Sequence, residues 1–180
     1  MPVYEEPGPA RPSVGGALIR AALAEDAVAM ARIYNHYIAN TIVTLEETAV
    51  SAADMAARLV ETNAAKLPWL TAHTPIGVCG FAHASRWKGR CGYRHSVEAT
   101  VYVDAAVVGQ GLGTALYAAL LARIREIGCH AIIGGVGLPN AASVALHEKF
   151  GFRKIGHFTE VGFKFGRWVD VGYWQLILPE

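Results

Sequence analysis

Residues 96–121 read SVEATVYVDAAVVGQGLGTALYAALL and carry the strongest structural signals in the chain. From Ser96 to Val103 the residues alternate between two faces, which predicts a β-strand. One face of this strand is apolar and holds Val97, Ala99, Val101 and Val103. The other face carries Glu98, which is costly in a half-buried strand unless it is paired or used. A glycine-rich turn follows, and apolar residues from Leu112 onward recur at helical spacing.

The turn has the pattern Gly109-x-Gly111-x-Gly113 and joins the strand to the helix. Glycines permit positive φ and close backbone approach, and the free N–H groups of a helix start attract anions. The pattern also fits a tight turn without a ligand. A P-loop is excluded because Thr114-Ala115 follow the last glycine instead of Lys-Ser/Thr, and a dinucleotide fold is disfavoured because residues 132–139 lack a carboxylate.

The segments on either side of this stretch predict a chain of the α+β class. Helices are predicted over residues 24–37, 52–62 with Ser51 as N-cap, 112–127 and 141–150 with Asn140 as N-cap. Further strands are predicted over 17–22, 69–72, 77–84, 131–136 and twice within 154–178, with a bend near Gly166. We expect residues 1–16, rich in proline and glycine, to form a flexible tail, and residues 17–180 to form a single domain.

Composition excludes several classes of protein. The chain has 180 residues, of which 53% are hydrophobic, enough for one domain with an ordinary core. A formal net charge of +1 disfavours nucleic-acid binding, and no segment resembles a signal peptide or a membrane span. Three cysteines give neither a disulfide framework nor a zinc pattern, and the histidines show no metal spacing. We therefore expect a soluble cytoplasmic protein without a metal.

Three groups of residues carry chemistry. Glu98 is either a general base or a carboxylate that is solvated or paired with Lys88 or Arg94. The stretch 86–93, RWKGRCGY, interleaves cations with aromatics, so it is either a solvated loop or a grip for anionic oxygens. His147 shares a helix face with Asn140 and Ser143, so it either faces a ligand with them or lies at the surface.

Several motifs together resemble a known superfamily. Residues 103–121 resemble the acetyl-CoA pyrophosphate loop of the GNAT N-acetyltransferases, and residues 140–152, NAASVALHEKFGF, resemble the helix that follows it. IYNHY at 33–37, YRHSVEATVYV at 93–103 and GFKFGRWVD at 162–170 are similar to the phosphinothricin and methionine sulfoximine acetyltransferase family. The resemblance extends from Leu18 to Leu178.

The resemblance implies a GNAT fold, a mixed and mostly antiparallel sheet of about seven strands flanked by about four helices. The sheet would splay at its centre to admit pantetheine. The implied activity is direct transfer of an acetyl group from acetyl-CoA to the amino group of phosphinothricin, methionine sulfoximine or methionine sulfone. Members of the family are commonly homodimers. Two alternatives stay open: an acetyltransferase for a different small amine, and a non-catalytic CoA-binding module.

The resemblance also assigns residues. Glu98 matches the catalytic carboxylate, and His147 would assist the departing thiolate. The acceptor would meet Lys88, Arg90, Tyr93 and Tyr102. The implied acetyl-CoA contacts are Val101, Tyr102, Val103, Val108, Gly109, Gln110, Gly111, Leu112, Gly113 and Asn140. Val108 replaces the superfamily's Arg or Gln, which implies weaker cofactor affinity, and Leu45 replaces an aromatic that the family often places against the acceptor.

Overall fold

The computed structural model describes residues 16–179, so the predicted tail lies outside the described residues except for Gly16. The strands are β1 Leu18–Ala21, β2 Trp69–Thr74, β3 Gly77–Arg86, β4 Ser96–Val103, β5 Ala131–Leu138, β6 Arg153–Lys164 and β7 Arg167–Ile177. The helices are α1 Ala27–Asn40, α2 Ala52–Ala64, α3 Leu112–Glu126 and α4 Ala141–Lys149. The α+β class and the predicted element order are confirmed.

The seven strands form one sheet in the order β1-β2-β3-β4-β5-β7-β6. Only the central pair, β4 and β5, is parallel; the other neighbours are antiparallel. The sheet is therefore mixed and mostly antiparallel. None of the helices within residues 16–179 is long and apolar enough to cross a membrane.

Helices cover the two faces of the sheet with separate cores. On one face, α3 packs through Leu116 and Leu120 against the apolar side of β4, where Val97 and Ala99 are buried. On the other face, α1 and α2 enclose Trp69, Phe81 and other aromatic side chains. Because neighbouring residues of a strand point to opposite faces, Glu98 and Tyr102 point toward α1 and α2.

The parallel pair of strands separates soon after it forms. β4 and β5 pair only at Ser96–Ala131, Val97–Ile132 and Glu98–Ile133, although both strands continue for several residues. Beyond Glu98 the backbones diverge and leave a cleft in the middle of the sheet. This is the splay that the sequence resemblance implied.

Local signals account for the ends of the helices. Ser51 caps α2 in a capping box with Asp54, and the Oδ1 atom of Asn140 accepts a hydrogen bond from the Ser143 N–H at the start of α4. Gly128 and Gly151 follow α3 and α4 with φ of 73° and 85°. These positive φ values are the left-handed conformation that ends a helix and that glycine adopts at little cost.

Candidate active site

The glycine turn opens α3 at the end of β4. Gly109 and Gly111 have φ of 86° and 82°, so both use the conformational freedom of glycine. Gly113 packs closely on β4, because an added Cβ would lie 3.4 Å from Cγ2 of Val103. The first turn of α3 contains no acidic residue, and its first N–H groups have no acceptor within the helix. This end of α3 can therefore hold an anion such as a diphosphate.

The cleft between the separated strands leads away from this turn. Thr100 and Tyr102 of β4 line one side of it and Gly135 of β5 the other, while Asn140 and His147 approach from α4. Its free volume is about 50 Å³, so the cleft is narrow. A space of this size has room for about one or two waters, so the walls must separate before an extended chain such as pantetheine can enter.

Glu98 lies where the two strands part. Its side chain is half-buried, and Oε1 lies 3.0 Å from where a Cβ on Gly135 would stand. Burial raises the pKa of Glu98 above the ordinary carboxyl value, and the positive charge of Lys88 partly offsets that effect. A carboxylate with a raised pKa is a better proton acceptor than an ordinary exposed one.

His147 lies on the opposite face of the sheet from Glu98. It is buried against Tyr117 of α3, with ring centroids 5.2 Å apart, and a Cβ on Gly134 would overlap its imidazole. The Nδ1 atom lies 2.7 Å from the carbonyl oxygen of Ser143, which can only accept, so Nδ1 carries the proton. Burial lowers the pKa of His147. Burial therefore favours the neutral ring, whose lone pair lies on Nε2.

A second and larger cavity, of about 490 Å³, adjoins the cleft on the Glu98 side. It lies between α2 and strands β2, β3 and β4, and we call it the side cavity. Thr100 and Tyr102 line both spaces, and Glu98 lines the side cavity close to the cleft. An amine in the side cavity and a thioester in the cleft would therefore meet beside the Glu98 carboxylate.

A polar network forms one wall of the side cavity. The hydroxyl of Tyr34 lies 2.8 Å from Oγ1 of Thr44 and donates to Glu46 at 3.0 Å. Arg58 holds the same carboxylate with two hydrogen bonds of 2.9 and 3.1 Å. From β6, the buried Lys164 donates to the Thr44 carbonyl oxygen at 2.7 Å. This network fixes the segment 41–50 between α1 and α2.

The structure does not gather the predicted acceptor residues into a closed pocket. Lys88, Arg90 and Tyr93 are exposed on the loop between β3 and β4, outside the linings of the side cavity and the cleft. Lys88 is the member of this group whose charge reaches Glu98. Its ammonium lies 4.9 Å from the Trp87 ring, which packs edge-on against Tyr173. The loop thus lies at the approach to Glu98.

The predicted acetyl-CoA contacts lie along one path. Val101 and Val103 are half-buried on the α3 side of β4, and the Val103 carbonyl oxygen accepts a hydrogen bond of 2.6 Å from the Tyr37 hydroxyl. Leu112 is buried beneath the turn, whereas Gln110 is half-buried and Val108 is exposed. These residues follow β4 into the start of α3, the route that a nucleotide thioester needs.

Sequence reasoning missed most of the wall of the side cavity. Trp69, His83, Arg58 and Glu46 line it, although the sequence analysis gave none of them a role. The alternation of β3 held a usable signal, because His83 pairs with Thr100 and shares the face of Glu98. In residues 16–179, no group of three or more His, Cys, Asp or Glu side chains is arranged to hold a metal ion.

Comparison with known proteins identifies a family that matches this chain. Residues 19–172 match the model of the acetyltransferase (GNAT) domain. The chain is 39% identical over 160 residues to a phosphinothricin N-acetyltransferase of Streptomyces viridochromogenes, covering 87% of this chain and 85% of that protein. It is 35% identical over 162 residues to an L-methionine sulfoximine/L-methionine sulfone acetyltransferase of Salmonella typhimurium, covering 90% and 95%.

A solved structure agrees in fold. The crystal structure of a GNAT superfamily phosphinothricin acetyltransferase from Sinorhizobium meliloti, in complex with acetyl-CoA, superposes with a TM-score of 0.87. It is 35% identical and covers 90% of this chain and 88% of its own. The splayed sheet and the glycine turn agree with the family match, which covers most of the sequence. This chain therefore belongs to the GNAT family of acetyltransferases.

Proposed function

We propose that this chain transfers the acetyl group of acetyl-CoA to the amino group of a small amino-acid-like acceptor of the phosphinothricin or methionine sulfoximine type. Relatives with 39% and 35% identity bear those names. The observation that carries the proposal is the separation of β4 and β5 beyond Glu98, next to the side cavity. Donor and acceptor then approach from different spaces and meet at one carboxylate.

The turn and the cleft bind the donor in this proposal. The amides from Gly109 to Gly113 hold the diphosphate at the start of α3, and the backbone of Val101 to Val103 aligns the pantetheine arm. Because Oδ1 of Asn140 already caps α4, only its NH₂ group is left to donate to that arm. The first turn of α3 carries no acidic side chain that would repel the phosphates.

Glu98 acts as the general base. An aliphatic ammonium has no lone pair, so it must lose a proton before it attacks the thioester carbonyl. Glu98 accepts that proton directly or through one water, and a new C–N bond forms. The attached nitrogen then releases a second proton to water, and the C–S bond breaks as CoA leaves as a thiolate. Because both substrates are held at the same carboxylate, the amine attacks directly and no acyl-enzyme is needed.

The thiolate obtains its proton from solvent in this scheme. Burial favours the neutral form of His147, whose one N–H is donated to the Ser143 carbonyl, so Nε2 is an acceptor. As an acid, the ring would have to be an imidazolium, which its burial disfavours. We therefore assign His147 to shaping the cleft wall beside α4 and to accepting a hydrogen bond, with proton donation left to water.

Lys88, Arg90 and Tyr93 lie at the approach to Glu98, where they would attract and orient the acceptor carboxylate. Lys88 supports this role most directly, because its charge reaches Glu98. Tyr102 would contact the acceptor from inside, since it borders both the side cavity and the cleft.

We further propose that the active protein is a homodimer of one GNAT domain per chain, residues 17–180. Seven apolar side chains of the hairpin β6–β7 are more than half exposed: Ile155, Phe158, Val161, Phe163, Phe165, Trp168 and Ile177. A patch of this kind on an edge hairpin usually marks a contact surface. The three cysteines are free thiols, which suits the cytoplasm.

A thiol-release assay tests the function. Purified protein is mixed with acetyl-CoA and a panel containing phosphinothricin, methionine sulfoximine, methionine sulfone, a polyamine and a primary alkylamine. We expect CoA release with the amino-acid analogues and N-acetyl products by mass spectrometry. Release only with the other amines would assign a different acceptor, and acetyl-CoA binding without release would identify a non-catalytic CoA-binding module.

A further inference from the structure

The side cavity has an aromatic inner end. Trp69, Phe81 and His83 stack there, with the His83 ring 4.3 Å from Trp69, and Tyr102 closes the side toward the cleft. At about 490 Å³ the space is larger than an amino group at Glu98 would need. It has room for the side chain of an amino-acid acceptor.

Trp69 carries an unpaired hydrogen-bond donor beside this space. Its side chain is only 5% exposed, and its Nε1 atom is buried without a hydrogen-bond partner in the described part of the chain. An indole N–H can only donate, and a buried donor left unpaired is costly. Trp69 lines the side cavity, but its Nε1 atom is closed to solvent, so the ring must shift slightly before an acceptor atom on a bound ligand can pair with this N–H.

The charges around the side cavity do not favour an anion. Arg58 is the one Lys or Arg among the described lining residues, and Glu46 already engages it through both of its carboxylate oxygens. Glu61 and Glu98 add two further carboxylates. Burial lowers the pKa of His83 to about 4, so this ring is uncharged at neutral pH. An anionic group entering here would face carboxylates with no free cation to offset them.

From these contacts we infer that the side cavity holds the side chain of the acceptor, and that Trp69 selects a side chain ending in an uncharged hydrogen-bond acceptor over one ending in an anion. Sulfone, sulfoximine and amide oxygens are of the favoured kind, and the phosphinate of phosphinothricin is of the disfavoured kind. The inference rests on the proposed function. It divides the two acceptor types for which the relatives are named and assigns this chain to the neutral one.

The test compares kcat/KM for methionine sulfone, phosphinothricin and norleucine, an apolar amino acid of similar length. In the parent protein, methionine sulfone is expected to exceed phosphinothricin by at least about tenfold. Trp69→Phe keeps an aromatic ring but removes the donor, so kcat/KM for methionine sulfone should fall about tenfold relative to norleucine, the worth of one hydrogen bond. The loss should appear mainly in KM.

Trp174→Phe is the matched control. Trp174 is also a buried tryptophan, but its N–H donates to Glu148 at 3.3 Å and its ring lies in the core beneath α3 and α4. Trp174→Phe should leave the ratio of methionine sulfone to norleucine unchanged. If it lowers that ratio as much as Trp69→Phe does, the effect is a general loss of packing and the role of Trp69 is refuted.

Glu46→Gln tests the charge argument in the opposite direction. It removes the carboxylate that neutralises Arg58, so kcat/KM for phosphinothricin should rise relative to methionine sulfone. A parent protein that prefers phosphinothricin, or a Glu46→Gln protein with an unchanged ratio, would overturn the inference while leaving the proposed acetyltransferase intact. Failure of every amine to release CoA would instead refute the proposed function.

Discussion

At the scale of the single residue, Glu98 combines a raised pKa with a position at the strand separation. Base catalysis requires the ionised carboxylate, so activity should fall as the pH drops through this raised pKa. Glu98→Gln keeps the shape of the side chain and removes the base, and we expect kcat to fall about 10²-fold or more. Full activity of Glu98→Gln at neutral pH would contradict the assignment.

The pH profile gives a second measurement on the same residue. The charge of Lys88 lowers the pKa of Glu98, so Lys88→Met should raise that pKa and move the acid limb of kcat/KM to higher pH. Arg94→Met is the control, since Arg94 is a cation of the same loop that bonds the Cys91 carbonyl and does not contribute to this shift. The limb should stay in place in that variant. If the acid limb does not move in Lys88→Met, the pH profile does not report the pKa of Glu98.

The position of the His147 ring requires a residue without a Cβ at position 134. A Cβ at position 134 would overlap the His147 ring, so Gly134→Ala should lower the free energy of unfolding by about 1–3 kcal/mol, the usual cost of overpacking. In a His147→Ala background the same change should cost much less. Urea unfolding of the four proteins measures this coupling, and simple additivity would contradict the proposed contact.

At the scale of the element, the segment 41–50 is held in place by Lys164 of β6. Lys164 is 1% exposed, and its ammonium donates to the Thr44 carbonyl oxygen. Burial lowers the pKa of Lys164, while the nearby Glu46 and Glu47 oppose that shift. A buried cation with one neutral partner contributes little net stability, so its value here lies in fixing the segment beside the side cavity.

Lys164→Met removes this anchor while keeping most of the side-chain volume. We expect KM for the amine acceptor to rise severalfold, KM for acetyl-CoA to stay constant, and the free energy of unfolding to change by less than about 2 kcal/mol. Steady-state kinetics with each substrate varied in turn, together with urea unfolding, give all three values. Equal increases in both KM values would show that the anchor supports the whole fold and not the acceptor side.

The elements differ in how far the sequence predicts them. Ser51, Asn140 and Gly151 act within a few residues of their own position, so their caps were predictable. The face of Glu98 followed from the two-residue period of its strand. The partners of Trp69 and the burial of Lys164 depend on contacts between segments distant in the chain. No local pattern encodes those contacts, so the side cavity was missed.

The loop 86–93 is a second case in which the sequence did not predict the position of the side chains. Its cations were recognised from composition, yet only the fold reveals that they lie at an approach and not in an enclosed pocket. Asn35 lies in the family-like segment 33–37, and its side chain pairs with the backbone of Val50 through two hydrogen bonds of 2.8 Å. The sequence thus identified the loop, and only the fold showed where its side chains lie.

At the scale of the whole molecule, the β6–β7 hairpin is the surface on which two copies would associate. Sedimentation velocity should give twice the 19.3 kDa chain mass. Charged side chains are costly to bury, so the double variant Phe163→Asp, Trp168→Asp should sediment as a monomer. Val60→Asp changes an equally exposed apolar residue on α2 and should remain dimeric. A parent protein that sediments at the mass of one chain would contradict the dimer.

The central claim for the whole molecule is that acetyl-CoA docks its diphosphate on the turn before α3. Isothermal titration calorimetry of acetyl-CoA into the parent protein, Gly111→Asn and Gly111→Asp measures this directly. Asn and Asp tolerate positive φ similarly, so the two variants differ mainly in one negative charge facing the phosphates. We predict saturable binding to the parent, nearly equal binding to Gly111→Asn and at least about tenfold weaker binding to Gly111→Asp. Equal affinity in both variants, or no heat from the folded parent at millimolar acetyl-CoA, would contradict it.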